Sequence, residues 1–260
     1  MALTIAGSDS GGGAGAQADL KTFLAIGVHG TCAVTSLTAQ NPRRVSGILA
    51  TPAPMVSAQI AAVLEFATPG AVKTGMLQSA GIIRAVVEAL ASCRAPLVVD
   101  PVMVSTSGTI LLERKALEAL ETVLIPRARL VTPNLAEAEV FLGARIKSPE
   151  ELQSAARALH LRWGCAVLAK GGHLRGAREA VDFLFDRGRE HVFTAPFVKG
   201  KKTHGTGCAY SAAITAYLAL GLDLPEAVRR AKEFVTRLIL GSRRVGRHEV
   251  LGFDAGRSRE

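Results

Sequence analysis

Short aliphatic runs alternate along this chain with longer stretches in which apolar positions return every three or four residues. That second period marks helices with one buried face, and the short runs read as buried strands. Strands are expected over 3–6, 28–37, 71–76, 97–99, 130–132 and 165–169. Helices are expected from about 14, then over 52–67, 78–91, 111–124, 134–142, 149–163, 209–220 and 224–240. Pro54 lies near a helix start, where a missing N–H is harmless, and Asp100-Pro101 and Pro133 end the strands before them. Later the pattern changes: 180–186 and 190–194 flank Arg187-Gly188-Arg189, as in a hairpin. Strands alternating with helices predict an α/β fold with a mostly parallel central sheet, and the hairpin adds an antiparallel edge. Neither linker nor repeat divides the chain, so one domain is expected over 1–241, followed by a basic, mobile tail over 242–260. A small lid would need a long insertion, and none is visible.

Composition narrows this picture. Hydrophobic residues make up 48% and aromatic residues 5%, as suits aliphatic strands covered by alanine-rich helices. No apolar run reaches the roughly 18 residues of a membrane span. The start, MALTIAGSDS, lacks the basic region of a secretory signal, and the four scattered cysteines show no metal or disulfide spacing. A reducing cytoplasm is therefore expected. The net charge of +9 is weighted late, in Arg229, Arg230, Lys232, Arg237, Arg243, Arg244, Arg247, Arg257 and Arg259. These residues lack interleaved aromatics, so a solvated face is expected rather than a nucleic-acid surface.

The candidate chemistry centres on KKTHGTGCAYSAAI, in which Gly205-Thr206-Gly207 leads into Cys208 and a helix. N–H groups bared at a helix start, together with the helix dipole, make an anion site. The same dipole is expected to favour a thiolate at Cys208, and Lys201, Lys202 and His204 add charge upstream. GSDSGGGAG, after the first strand, has the wrong spacing for a dinucleotide fingerprint. Polar residues follow several strands: Asp9, Gln40, Lys73, Asp100, Asn134 and Lys170. In an open parallel sheet they line one edge. Cations, carboxylates and an anion hole are what phosphoryl transfer needs, yet no Walker, HRD or DFG motif is present.

TIAGSDSGGGAGAQADLKTF, TAQNP, VKTGML, VVDPVM, VTPNLAEAE, VLAKGGH and THGTGCAYSAAI, in that order over residues 2–240, resemble the hydroxymethylpyrimidine/phosphomethylpyrimidine kinases of thiamine biosynthesis. The resemblance implies a ribokinase-like three-layer α/β/α sandwich. It also implies ATP and Mg²⁺ as cofactors and 4-amino-5-hydroxymethyl-2-methylpyrimidine, then its monophosphate, as substrates. Gly205, Thr206, Gly207 and Cys208 would form the anion hole, with Cys208 accepting or orienting the substrate hydroxyl. Lys170 would reach the ATP phosphates, and Asp100, Asn134 and Glu137 would hold the magnesium shell. Asn134 and Glu137 equally fit a capping box without any metal. Gln40 pairs a donor with an acceptor, as a 4-aminopyrimidine does, and Gly7, Ala14, Asp19, Met76 and Val102 would lie near the pyrimidine. Gly11, Pro42 and Ala169 depart from the usual motifs without removing a functional group. A homodimer without membrane contact is expected. The competing readings are a pyridoxal or pyridoxine kinase of the same superfamily and a non-catalytic pyrimidine-binding sensor.

Overall fold

Ala71–Thr74, Leu97–Val99, Leu130–Val131 and most of Ala166–Lys170 are buried, as strands must be when helices cover both faces of their sheet. The computed structural model describes residues 1–104, 109, 111–172, 174, 179–198 and 204–253. Lys201, Lys202, Arg257 and Arg259, named above, and His173 at the end of the VLAKGGH motif lie outside them.

The strands are β1 (Ala2–Ala6), β2 (Gly30–Val34), β3 (Ser36–Asn41), β4 (Arg44–Ala50), β5 (Ala71–Thr74), β6 (Leu97–Val99), β7 (Leu130–Val131), β8 (Ala166–Lys170), β9 (Glu179–Asp186), β10 (Arg189–Pro196), β11 (Arg243–Val245) and β12 (His248–Val250). The helices are α1 (Gly15–Ile26), α2 (Ala53–Phe66), α3 (Ala80–Ala89), α4 (Arg114–Ala119), α5 (Leu135–Leu142), α6 (Pro149–Trp163), α7 (Thr206–Ala219) and α8 (Leu224–Leu240). The central sheet has eight strands in the order β10-β9-β8-β7-β6-β5-β1-β2. From β8 to β2 the strands are parallel, while β9 and β10 run antiparallel at the edge. Helices α2 to α6 cover one face and α1, α7 and α8 the other, which gives the expected three layers.

Three expectations need correction. The strand expected over 28–37 breaks at Thr35, whose N–H donates to the Ala6 carbonyl and whose Oγ1 donates to the Met76 carbonyl at 2.6 Å. Beyond that anchor, β3 and β4 leave the central sheet as a separate two-stranded flap, although no long insertion announces it. Residues 44–50 escape a reading by periodicity because they are exposed or half-buried throughout. The tail expected to be mobile begins as the hairpin β11–β12 and is stapled down by Leu251, which is buried against α8, while the Gly252 N–H donates to the Leu238 carbonyl at 3.0 Å. Lys232, counted on the solvated face, instead forms a 2.6 Å ion pair with Asp182 and is partly buried. Arg229 and Arg230 do lie on the surface, paired with Glu226.

Candidate active site

Just beyond the carboxyl ends of the parallel strands, the loop from β1 to α1 meets the start of α7. Asp9 organises this loop: its carboxylate accepts the N–H groups of Gly11, Gly13 and Ala14 at 2.8, 3.1 and 2.8 Å. Burial works against that charge, but His204 and the N–H groups of Gly11 and Ala14 hold the pKa below the usual carboxylate range. Gly205 adopts the left-handed conformation (φ 84°), and a Cβ there would overlap the Gly13 carbonyl, so the close approach of the two segments requires glycine. Helix α7 then begins without a side-chain cap, which leaves its first N–H groups available to an anion.

His204, expected only as nearby charge, joins three segments. Its Nε2 lies 3.1 Å from Asp9 Oδ2 and 3.3 Å from Gln40 Nε2. One ring nitrogen cannot donate to the first and accept from the second. The carboxylate is the stronger partner, so Nε2–H points to Asp9, while the Gln40 amide oxygen accepts the Thr38 hydroxyl at 3.3 Å. Gln40 stands at a bulge in the flap, its main chain tied to Ser10 Oγ through both N–H and carbonyl at 2.8 Å. Gly7, Ser36 and Met76 adjoin this group: a Cβ on Gly7 would lie 2.6 Å from Ser36 Oγ and 3.1 Å from Met76 Sδ.

Cys208 is half-buried in the first turn of α7. The thiolate expected from the helix dipole is not what its surroundings favour. Burial pushes the thiol up to about 12; Lys73 and the Gly15 N–H pull it down, but Asp19 and Asp100 oppose them. Cys208 is therefore a neutral thiol at rest.

A second cluster lies alongside. Asp100, at the end of β6, accepts Lys170 Nζ at 3.1 Å and Thr132 Oγ1 at 3.2 Å on one oxygen and Ser211 Oγ at 2.9 Å on the other. Burial disfavours the Lys170 ammonium, yet Asp100 and Glu137 raise its pKa and keep it charged. A Cβ on Gly207 would be 3.8 Å from Lys170 Nζ, which places that cation beside the start of α7. Ser211, one turn after Gly207, was missed by the sequence reading, although the four-residue spacing puts both on one face of the helix.

Asn134 and Glu137 form a full capping box: Asn134 Oδ1 accepts the Glu137 N–H at 3.0 Å and Glu137 Oε2 accepts the Asn134 N–H at 2.8 Å. Burial lifts the Glu137 carboxyl to about 7, against Lys170 and with Asp100. Among the described residues no three His, Cys, Asp or Glu side chains are placed to ligate one ion. A dehydrated, all-protein metal cage therefore does not fit. Two neighbouring buried carboxylates do fit a hydrated divalent cation that arrives with phosphate oxygens. Asp19, expected near the substrate, is fully buried below the pocket and holds Lys73 and Thr4 at 2.9 and 2.6 Å. Val102 is half-buried just past Asp100 on the same edge.

A family model described as phosphomethylpyrimidine kinase matches residues 9–251. The hydroxymethylpyrimidine/phosphomethylpyrimidine kinase of Streptomyces coelicolor is 48% identical over 92% of this chain and 88% of its own. The thiamine biosynthesis bifunctional protein ThiED of Geobacter sulfurreducens is 48% identical over 94% of this chain, which spans 50% of that longer protein. The solved ADP complex of Bacillus subtilis pyridoxal kinase superposes with a TM-score of 0.89 at 36% identity, covering 98% of this chain and 97% of that one.

Proposed function

Because the chain belongs to the phosphomethylpyrimidine kinase family, we propose that it is a cytoplasmic, Mg²⁺-dependent ATP kinase of thiamine biosynthesis. Its substrates are 4-amino-5-hydroxymethyl-2-methylpyrimidine and then the monophosphate of that pyrimidine. The observation that carries this reading is the uncapped start of α7, with Cys208 and the Lys170 ammonium beside it, at one edge of the sheet.

In this reading the N–H groups of the Gly205–Cys208 turn and the Lys170 ammonium take up charge on the transferring phosphoryl group. Cys208, a neutral thiol at rest, receives the hydrogen bond of the substrate hydroxyl and orients it; in its thiolate form, once the thiol proton has passed to solvent, it takes the hydroxyl proton as the new O–P bond forms. Gln40 offers its amide to the 4-aminopyrimidine edge, and Gly7, Ala14, Met76 and Val102 shape the space around the ring, while Asp19 supports it from below. Asp100 and Glu137 would hold the water shell of Mg²⁺, with Asn134 fixing Glu137; the ion supplies charge neutralisation between phosphates. The exposed cross-strand pair Leu37 and Leu49 on the flap supports a homodimer formed through that face.

The test is ATP consumption by purified protein with Mg²⁺ and hydroxymethylpyrimidine, its monophosphate or pyridoxal. Turnover on both pyrimidines with little on pyridoxal is expected. Turnover confined to pyridoxal would retain the anion hole and discard the role given to Gln40.

A further inference from the structure

The Gln40 amide stands between two side chains, Thr38 two positions earlier on β3 and His204 just before α7. Both are buried, with 7% and 9% of their surface exposed. Neither suits the end of the amide that faces it. Gln40 Nε2 lies 3.3 Å from His204 Nε2, but the hydrogen on that ring nitrogen points to Asp9 Oδ2 at 3.1 Å, so two N–H groups confront each other. This holds for the neutral ring and for the imidazolium, since a bare nitrogen would set its lone pair against the carboxylate. On the other side, Thr38 Oγ1 has one hydrogen and two acceptors, the Ser8 carbonyl at 2.8 Å and Gln40 Oε1 at 3.3 Å, so the bond to the amide is the weaker one. A carboxamide carries an oxygen and an NH2 of similar size, and a half-turn about its last bond exchanges them. Turned so, Gln40 sets its oxygen toward the His204 N–H and its NH2 toward the lone pairs of the Thr38 oxygen, and both mismatches are removed. The Gln40 main chain, clamped at both N–H and carbonyl by Ser10 Oγ at 2.8 Å, need not move.

We propose that Thr38 and His204 are specificity-determining residues: they hold the Gln40 amide in this turned orientation and so make the pocket read a 4-aminopyrimidine and reject its 4-oxo counterpart. This rests on the reading of Gln40 as the residue that meets the pyrimidine edge. An amide free to turn offers its donor and acceptor in either order and cannot tell the two rings apart. A 4-aminopyrimidine donates through its amino group and accepts at N3; a 4-oxopyrimidine accepts at its carbonyl oxygen and donates from N3–H. The ring cannot turn over instead, because its hydroxymethyl group must reach Cys208. With the amide held, its remaining lone pair and remaining N–H come in one order only, and a 4-oxo ring meets oxygen with oxygen and N–H with N–H. A buried polar site left unpaired in that way rejects the wrong ligand far more strongly than a missing apolar contact does. Asp9 is what makes His204 one-sided: without the carboxylate at 3.1 Å, the ring nitrogen could donate or accept as Gln40 required.

The experiment is isothermal titration calorimetry of the full chain, without ATP, using 4-amino-5-hydroxymethyl-2-methylpyrimidine and its 4-oxo analogue. The parent is expected to bind the amino compound at least about a hundredfold more tightly. Thr38→Val and His204→Phe roughly keep the size of the side chain and remove its hold on the amide. In each, the preference is expected to fall about tenfold or more, in part because the 4-oxo analogue binds more tightly than it does to the parent. Structural damage alone would weaken both ligands and could not produce that gain. If His204→Phe does not fold, Thr38→Val decides alone. An unchanged preference in the folded variants, or a fall caused only by weaker binding of the amino compound, would overturn the proposal. Gln40→Ala separates the proposal from the reading beneath it. A preference that survives in Gln40→Ala means that another residue reads the ring edge, and both fall. A parent that binds the two compounds alike would overturn the proposal alone, and one that binds neither would overturn both.

Discussion

Cys208 shows how a residue's position and its surroundings can pull apart. Its place in the first turn of α7 argues for a thiolate, and GTGC marks that place plainly in the sequence. The opposing influences come from Asp19, Asp100 and burial itself, which the fold brings in from elsewhere and local spacing cannot reveal. Replacing Cys208 by Ala should lower kcat by a factor on the order of 10²–10⁴ with the KM for ATP unchanged, as measured in steady-state assays. A kcat within a factor of two of the parent would remove Cys208 from the proton path. Glu137 carries a second consequence at this scale. The folded chain holds a proton there up to about pH 7, the unfolded chain only to about 4.5. The stability this group contributes is therefore full below about pH 4.5 and lost as the pH rises through 7. Glu137→Gln keeps the cap geometry but cannot ionise. In urea unfolding without Mg²⁺, its stability relative to the parent should improve between pH 5 and pH 8 by about 2 kcal/mol. A difference that does not change with pH would mean that Glu137 ionises normally. The Asn134-to-Glu137 spacing was legible, and both of its meanings fit; hydrogen bonding shows the capping box to be formed.

At the scale of elements, the regular α/β segments could be read because burial on two faces leaves continuous apolar strands and periodic helices. The flap could not. β4 buries almost nothing of its own, and its turn is set by Asn41 Oδ1 accepting the N–H groups of Arg43 and Arg44 at 2.9 and 3.2 Å, a local signal easily taken for a loop. Gln40 belongs to this flap and not to the central sheet, and its main chain is tied to Ser10 of the first loop. Gln40→Ala should raise the KM for the pyrimidine at least several-fold and leave that for ATP alone; a change in ATP KM instead would move the pyrimidine site elsewhere. The junction between the first loop and α7 is closely packed. Gly205→Ala forces a Cβ into a left-handed residue and onto the Gly13 carbonyl. A loss of at least about 2 kcal/mol is expected in thermal or urea unfolding, with turnover falling in parallel. Parent-like stability would show that the two loops can separate freely.

The whole molecule was legible as one α/β sandwich from its alternating elements, but the fate of its last residues was not. A basic stretch with several glycines suggested mobility, and the apolar anchors Leu251 and Phe253 were too sparse a pattern to outweigh it. The flap's exposed leucines belong to this scale as well, since Leu37 and Leu49 are 57% and 68% accessible in the single chain. Changing Leu37 and Leu49 together to Glu should convert a dimer to a monomer in analytical ultracentrifugation while the fold is kept. A parent that is already monomeric would sink the dimer reading. The link between Asp9 and His204 joins positions 195 apart in sequence. Contacts of such separation form late, after the loop-closure entropy of the chain between them has been overcome. On a ribosome, the first loop and β1 emerge long before the segment that completes their site. A nascent or truncated chain can thus hold most of the sheet and still have no pocket, so substrate binding reports on a finished polypeptide.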